Sequence, residues 1–422
     1  MRVLVVASSF PSVNQPWLTT YLSQLDARGI AHTIVTMKRD PDAVDRRAGG
    51  PYVARCVFIP PDGRALLREW LRILARRPLR ELVAAVRVGL SVRSPDVDVK
   101  TKLRMVLTTL CLMHRLPRER FDLIHVHFDQ DALFFLPYAR LSKTPIVTTF
   151  HGMNPVGVKS MPLAHRRATY RGVDRVIVNT EFARTQVVAM GCSTSIVHIL
   201  PQGTVLDDFP FAPLPPPAPG EPVRIITVGR LQADKGQVWA LLAAARLCKQ
   251  GYDVEWWFAG TGPDLARLER LAQRLGLGRR VRFFGVVPHR ELRSLYGQAH
   301  IFVLPSINNS RGYIVETQGV AIQEAQASGC ITIASAVGGI PECIEHGVTG
   351  LLVRDRSSRA LAEAIRWVLA HPEAWTPMRE AARRHVERNF DASIIGSRME
   401  QLYREVIARA GGTAERRVYE TV

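Results

Sequence analysis

The sequence predicts an α/β protein of two doubly wound parallel-sheet domains facing each other across a cleft. Short β-branched apolar runs alternate with segments of helical periodicity along the chain. The alternation breaks at Pro213–Pro222, which reads PLPPPAPGEP, and restarts directly afterwards. The length of 422 residues also exceeds what one domain commonly holds.

In the first half, Val3–Ala7, Thr33–Thr36, Leu123–His127, Ile146–Thr149 and Arg175–Asn179 read as strands buried on both faces. Between the first two, Trp17, Leu18, Tyr21, Leu22 and Leu25 recur at helical spacing. A proline-rich stretch cannot continue a helix or a central strand, so Pro213–Pro222 reads as a stiff linker. Beyond it, Val223–Val228, Val254–Ala259, Val281–Phe284, Ile301–Leu304 and Ile331–Ala334 form the second set of strands. The expected division is an N-terminal domain over 1–203, a linker over 204–222 and a C-terminal domain over 223–389, with a helix near 390–410 rejoining the first domain. Ligands of such sheets sit at the carboxyl ends of the strands, so the cleft between the two is the expected site.

Composition excludes several classes. With 47% hydrophobic and 22% charged residues, the chain is neither disordered nor fibrous. The six cysteines, Cys56, Cys111, Cys192, Cys248, Cys330 and Cys343, include no CxxC pair, which argues against a disulfide scaffold or a structural zinc. The apolar stretches Val3–Ala7 and Met105–Met113 are too short for a secretory core or a membrane helix of about 20 residues. A cytoplasmic chain is expected.

Charge is uneven. The net charge is +18, and residues 1–203 hold 29 Lys+Arg against 15 Asp+Glu, while residues 204–422 hold 27 against 23. Residues 64–120 carry 14 basic and 5 acidic side chains, which predicts an anionic partner. Nucleic acid fits poorly, because few aromatics interleave and no RNP, KH or zinc-finger pattern is present. A membrane surface fits better. Arg64, Arg68, Arg72 and Arg76 recur every fourth residue beside Leu66, Leu67, Trp70, Leu71, Ile73 and Leu74. After Pro78, the residues Leu79, Leu82, Val83, Val86 and Leu90, with Arg80 and Arg87, repeat the idea. Basic amphipathic helices with a Trp predict attachment to anionic lipid, peripheral on the inner face of the plasma membrane. The plain alternative is that the apolar stripe packs on the sheet and the arginines are merely solvated.

The chemistry gathers in the second half. After strand Val223–Val228 come Gly229, Arg230, Lys235 and Gly236, then a helix from Gln237. A glycine that lets backbone approach, two cations and a helix N-terminus make a cradle for a diphosphate. The GxxxxGK[ST] pattern of nucleotide hydrolysis is absent. Further on, Glu316 and Glu324 are separated by seven residues, Glu316 in a loop and Glu324 on the helix that follows. Gly319 and Val320 fall near that helix's N-terminus, where free N–H groups favour phosphate. The alternative reading of Glu324 as a surface residue sits badly with its apolar neighbours. In the first half, His151 follows a strand in Phe150-His151-Gly152. His125 and His127 alternate on one strand; two ligands do not close a metal site, so they are assigned to domain structure or acceptor lining.

The ordered set GRLxxxKG, AGTGP at 259–263, LPS at 304–306, E-x7-E and GGIPE at 338–342 resembles retaining glycosyltransferases of the family-4 type, in particular those of exopolysaccharides such as colanic acid or amylovoran. The resemblance implies the two-Rossmann GT-B fold. It also implies that Arg230 and Lys235 hold the diphosphate of a UDP- or GDP-linked sugar. Glu324 then binds the ribose hydroxyls and Glu316 the donor sugar. The amides of Gly319 and Val320 meet phosphate, and the backbone of Gly285 and Val286 meets the base. His151 corresponds to the family's HG element, facing the donor sugar and assisting near the reacting centre. The implied acceptor is a growing oligosaccharide of exopolysaccharide or lipopolysaccharide, carried on a lipid diphosphate. Two departures stand out. Asn14-Gln15-Pro16 replaces an early Ser-Glu-Thr, and the interdomain Asn-Gly-Val-Asp reads Gln202-Gly203-Thr204-Val205.

No carboxylate of the N-terminal domain stands in a motif fit to be a nucleophile, so the resemblance implies front-face displacement with the leaving diphosphate as base. Two cations already serve that diphosphate, so no metal or other cofactor is expected. Three competing functions differ in what they require. A sugar-nucleotide epimerase on the same fold needs no acceptor. A nucleic-acid binder rests on the charge alone. A silent binding module does not explain intact Arg230, Lys235, Glu316 and Glu324.

Overall fold

The computed structural model describes residues 1–12, 15–38, 50–76, 78–92, 96–117, 119–152, 161–308 and 316–419. The first seven strands are β1 Arg2–Ser9, β2 Ala31–Lys38, β3 Cys56–Phe58, β4 Leu123–His127, β5 Ile146–Phe150, β6 Arg175–Val178 and β7 Val197–Ile199. They form one parallel sheet in the order β3-β2-β1-β4-β5-β6-β7. Among the described residues, this part holds the helices α1 Pro16–Ala27, α2 Gly63–Arg76, α3 Pro78–Ser91, α4 Val99–Arg115, α5 Asp129–Ser142, α6 Leu163–Gly172, α7 Glu181–Ala189 and, from the far end of the chain, α14 Ala392–Tyr419.

The uninterrupted apolar runs reflect burial on both faces of this sheet. From β1, Leu4 and Val6 enter a core with α4, α5 and α6, while Val3, Val5 and Ala7 enter another with α1 and α14. Ile395, Met399, Leu402 and Tyr403 of α14 therefore complete the N-terminal domain.

The second sheet comprises β8 Val223–Val228, β9 Val254–Ala259, β10 Val281–Gly285, β11 Ile301–Leu304, β12 Ile331–Ser335 and β13 Leu351–Val353. It is parallel throughout, in the order β10-β9-β8-β11-β12-β13. Its helices are α8 Gln237–Lys249, α9 Leu265–Arg274, α10 His289–Gly297, α11 Val320–Ser328, α12 Ser358–Ala370 and α13 Trp375–Asn389. Here too the strand residues alternate between two cores: Val223, Ile225, Trp256 and Phe258 on one side, Ile226, Trp257 and Ala259 on the other. All ten strands read from the sequence are present. The three-residue strands β3, β7 and β13, each at a sheet edge, were not read there.

The chain crosses between the sheets twice, and the crossings are bonded together. Thr204 N–H donates to the Phe390 carbonyl at 2.8 Å and Ala392 N–H to the Thr204 carbonyl at 3.0 Å. A Cβ on Gly203 would stand 2.7 Å from Ala392 Cα, which is why this close crossing takes a glycine. The segment between the sheets is packed: Phe209 is buried in the second domain, and Arg379 donates to the Leu214 carbonyl at 2.5 Å.

The basic hairpin α2–α3 divides its apolar residues. Leu66 is buried and Trp70 packs against the N-terminal core, so Trp70 is not the lipid-facing anchor that the sequence pattern suggested. Leu67 and Leu71 are exposed, as are Val83, Val86 and Leu90. Arg64, Arg68, Arg72, Arg76, Arg80 and Arg87 are exposed as well. The side chains of Pro78, Leu79 and Leu82 lie outside the described residues. No described helix is long and apolar enough to cross a membrane.

Candidate functional site

In each sheet the order reverses beside the central strand, at β1/β4 and at β8/β11. Ligands bind at such switch points, at the carboxyl ends of strands. The segments leaving β8 and β11 meet there. Gly236 has φ +67, and a Cβ on it would stand 1.9 Å from the Pro305 carbonyl oxygen, so only glycine lets the two segments approach this closely. The approach places Lys235 beside Glu316: Nζ donates to Oε1, and Ser306 Oγ donates to the same oxygen at 3.4 Å. Both members of the pair retain partial exposure. Arg230 is exposed on the turn above, its carbonyl held by Gln237 Nε2 at 2.8 Å.

Gly319, at φ +98, caps the start of α11, whose first residue is Val320. The first N–H groups of a helix lack intrahelical partners and carry the positive end of its dipole. Glu316, Gly319 and Val320 thus share one short loop and helix start. Glu324 lies one turn further along and is buried, which excludes the surface reading. Tyr296 OH donates to its Oε2 at 2.9 Å, and His289 Nε2 stands 4.0 Å from its Oε1. Burial outweighs the Tyr296 bond and pushes the Glu324 carboxyl up to about 7. Gly285 ends β10 at φ +66, and its carbonyl accepts from Gly260 N–H at 2.8 Å. Val286 follows it, partly buried.

From the other domain, His151 leaves β5 toward this loop. A Cβ on Gly152 would stand 3.2 Å from Thr317 Cγ2. Trp17 lies against the His151 ring at 4.1 Å between centroids. The imidazole nitrogens face Gln202 Nε2 and His127 Nδ1, each at 3.2 Å. Burial holds the ring neutral, with its pKa pushed down to about 3. A cavity of about 60 Å³ beside it is lined by Trp17, Tyr21, His127, Asn179, Gln202 and Met399 among others. His125 is structural: Nε2 pairs with Thr149 Oγ1 at 2.7 Å, and Nδ1 faces the hydroxyls of Tyr21 and Tyr403. Among the described residues, no three His, Cys, Asp or Glu side chains gather as a metal site requires. Asn14 lies outside the described residues.

The two halves are joined across the cleft by residues that sequence reasoning missed. Thr180 Oγ1 donates to the Thr317 carbonyl at 2.7 Å. Glu342, from the GGIPE segment, accepts the N–H groups of Glu181 and Phe182 at the start of α7. The spacing of GGIPE marked the segment, but nothing local marked its partner.

Comparison with known proteins decides what this cleft belongs to. The Glycosyl transferases group 1 model matches residues 212–385 and the Glycosyltransferase Family 4 model residues 71–208. The GDP-mannose-dependent alpha-(1-6)-phosphatidylinositol monomannoside mannosyltransferase of Mycolicibacterium smegmatis is 30% identical over 268 residues, spanning 61% of this chain and 69% of that protein. The chain is a family-4, group 1 glycosyltransferase. A second relative of the glycosyltransferase, described as acting in colanic acid biosynthesis, is WcaL of Escherichia coli K12; it is 27% identical, spanning 71% of this chain and 74% of that protein. The crystal structure of Anabaena Alr3699/HepE in complex with UDP and glucose covers 96% of this chain and 100% of its own, with TM-score 0.70 and 16% identity. The fold of the glycosyltransferase is accordingly GT-B.

Proposed function

We propose that this glycosyltransferase moves a hexose, with retention of anomeric configuration, from a UDP- or GDP-linked donor to a saccharide carried on a lipid diphosphate, building exopolysaccharide or lipopolysaccharide at the inner face of the plasma membrane. The observation that carries the reading is the convergence of Lys235, Glu316 and the start of α11 at one switch point, opposite His151. Arg230, Lys235 and the amides of Gly319 and Val320 hold the diphosphate. Glu324 takes the ribose hydroxyls, Glu316 those of the sugar, and Gly285 and Val286 flank the base.

In the transfer, the bond from the anomeric carbon to the diphosphate oxygen breaks. The acceptor oxygen bonds to that carbon on the same face, and its proton passes to the departing oxygen. The protein's part is to stabilise charge growing on the leaving group. Preorganised donors in such a role are worth ~3–4 kcal/mol each. Neither a nucleophilic carboxylate nor a metal ion has a step in this scheme.

The basic hairpin supports the membrane assignment, because exposed Leu67, Leu71, Val83, Val86 and Leu90 share α2 and α3 with six exposed arginines. The names of the relatives point the same way: one uses GDP-mannose and a phosphatidylinositol mannoside, and the other is described as acting in colanic acid biosynthesis. The test is a donor screen with purified protein, reading nucleotide release with and without lipid-linked acceptor, followed by NMR assignment of the product anomer. Transfer with inversion, or sugar isomerisation without acceptor, overturns the reading.

A further inference from the structure

His151 is held by two kinds of contact. Trp17 on one side, and Phe128 at 4.9 Å between centroids, fix where the ring lies. They do not fix which nitrogen carries the proton. That choice falls to the hydrogen-bond partners.

The partner at Nδ1 is the Gln202 amide nitrogen, which only donates. Nδ1 therefore accepts, and the ring proton resides on Nε2. Nε2 in turn donates to His127 Nδ1, so His127 carries its own proton on Nε2, a buried atom with no hydrogen-bond partner among the described residues. Burial keeps both imidazoles uncharged, with one proton each, so the polarity of the row is set from its Gln202 end.

Gln202 is itself held by the opposite domain. Its backbone N–H donates to Gln318 Oε1 at 2.8 Å, and Gln318 Nε2 donates back to its carbonyl at 2.9 Å. Gln318 is buried, between Glu316 and Gly319. Any displacement of that loop moves the amide that faces His151.

We infer that Gln202 is a positioning residue for His151, fixing the ring's proton on Nε2 and tying that tautomer to the loop between Glu316 and Gly319. With Nδ1 accepting from Gln202 and Nε2 donating to His127, both ring nitrogens are engaged. The consequence for turnover rests on the proposed place of His151 at the reacting centre; the tautomer itself does not.

The experiment uses the full chain with 15N-labelled histidine, read by long-range 1H–15N correlation. The His151 signals are assigned by their loss in His151→Gln. Wild type is expected to show His151 with Nδ1 bare and Nε2 protonated. In Gln202→Glu the carboxylate only accepts, so the proton moves to Nδ1 and the pattern inverts. The added negative charge also raises the His151 pKa, so the acid limb of kcat moves to higher pH than in wild type. Gln202→Asn withdraws the amide by one methylene. Mixed tautomers and an about tenfold lower kcat at nearly constant donor KM are expected there. An unchanged His151 tautomer in both variants overturns the inference, whatever their activity. An inverted tautomer with wild-type kcat, together with a fully active His151→Gln, upholds the role of Gln202 and instead removes His151 from the reacting centre.

Discussion

The Glu342 carboxylate of the second domain accepts the backbone N–H groups of Glu181 and Phe182 of the first, each at 2.8 Å. A negative charge thus caps a helix start that belongs to the other half of the cleft. Because the pair is exposed, its worth is about 1 kcal/mol. Glu342→Ala is expected to lower kcat/KM about fivefold, matching ~1 kcal/mol, and to raise the radius of gyration in small-angle scattering. Unchanged values of both would show that the contact does not hold the cleft.

Lys235 and Glu316 are bonded to each other, so their contributions are expected to be coupled. Lys235→Ala and Glu316→Ala should each lower kcat/KM at least about tenfold, ~1.4 kcal/mol. The double variant should lose less than the product of the two. Wild-type rates in both single variants would sink the donor-site assignment.

Glu324 gives the site a pH dependence. Its carboxyl is raised to about 7 by burial, so it passes from neutral to ionised between pH 6 and 8. The ionised form accepts ribose hydroxyls, so donor affinity should rise about tenfold over that interval, following the ionised fraction. Tyr296→Phe removes the hydroxyl that favours the ionised form and should move the midpoint higher. Stability runs the other way. The folded state keeps a proton that the unfolded chain releases near pH 4.5, so stability falls as pH rises from there to about 7. Glu324→Gln should therefore raise Tm above pH 7 and leave it unchanged below pH 4. Titration calorimetry and thermal melts across pH check both signs.

The strands of this fold were legible because burial on both faces leaves unbroken apolar runs. The edge strands β3, β7 and β13 were not, because three residues, most of them partly exposed, leave no pattern. Type and spacing singled out Lys235, Glu316 and Glu324; the fold brings the first two into contact and buries the third, as its apolar neighbours suggested. Tyr296, Gln318 and Glu342 were not, because each acts on a group fixed only by the tertiary fold. Trp70 shows the same limit in reverse. Its place on a helical stripe does not distinguish a protein core from lipid.

Vesicle co-sedimentation separates the two contributions of the basic hairpin. Wild type should bind anionic vesicles at low salt. Changing Arg64, Arg68, Arg72 and Arg76 to Glu should abolish binding, since each cation contributes ~1 kcal/mol near an anionic leaflet. Changing Leu67, Leu71, Val83 and Val86 to Ser should leave a weaker, strongly salt-sensitive attachment. Equal partitioning of wild type and the Glu variant would reject the surface.

Turnover is expected to persist in chelator, because the scheme assigns the leaving charge to Arg230, Lys235 and the α11 amides. Loss of activity in chelator, restored by magnesium or manganese, would reject that scheme.

The paired crossings at Thr204 and Ala392 bear on how such enzymes can be recombined. α14 completes the core of the first domain although it follows the second in sequence. A hybrid made by cutting once, near the proline-rich segment, and joining the front of this chain to the back of a relative would pair a foreign helix with the sheet built around β1. Tyr403, packed beside His125 and Tyr21, would be the mismatched neighbour. A workable exchange of donor specificity therefore needs two cuts, one at each crossing, so that the second sheet travels as an insert and the last helix stays with its native host.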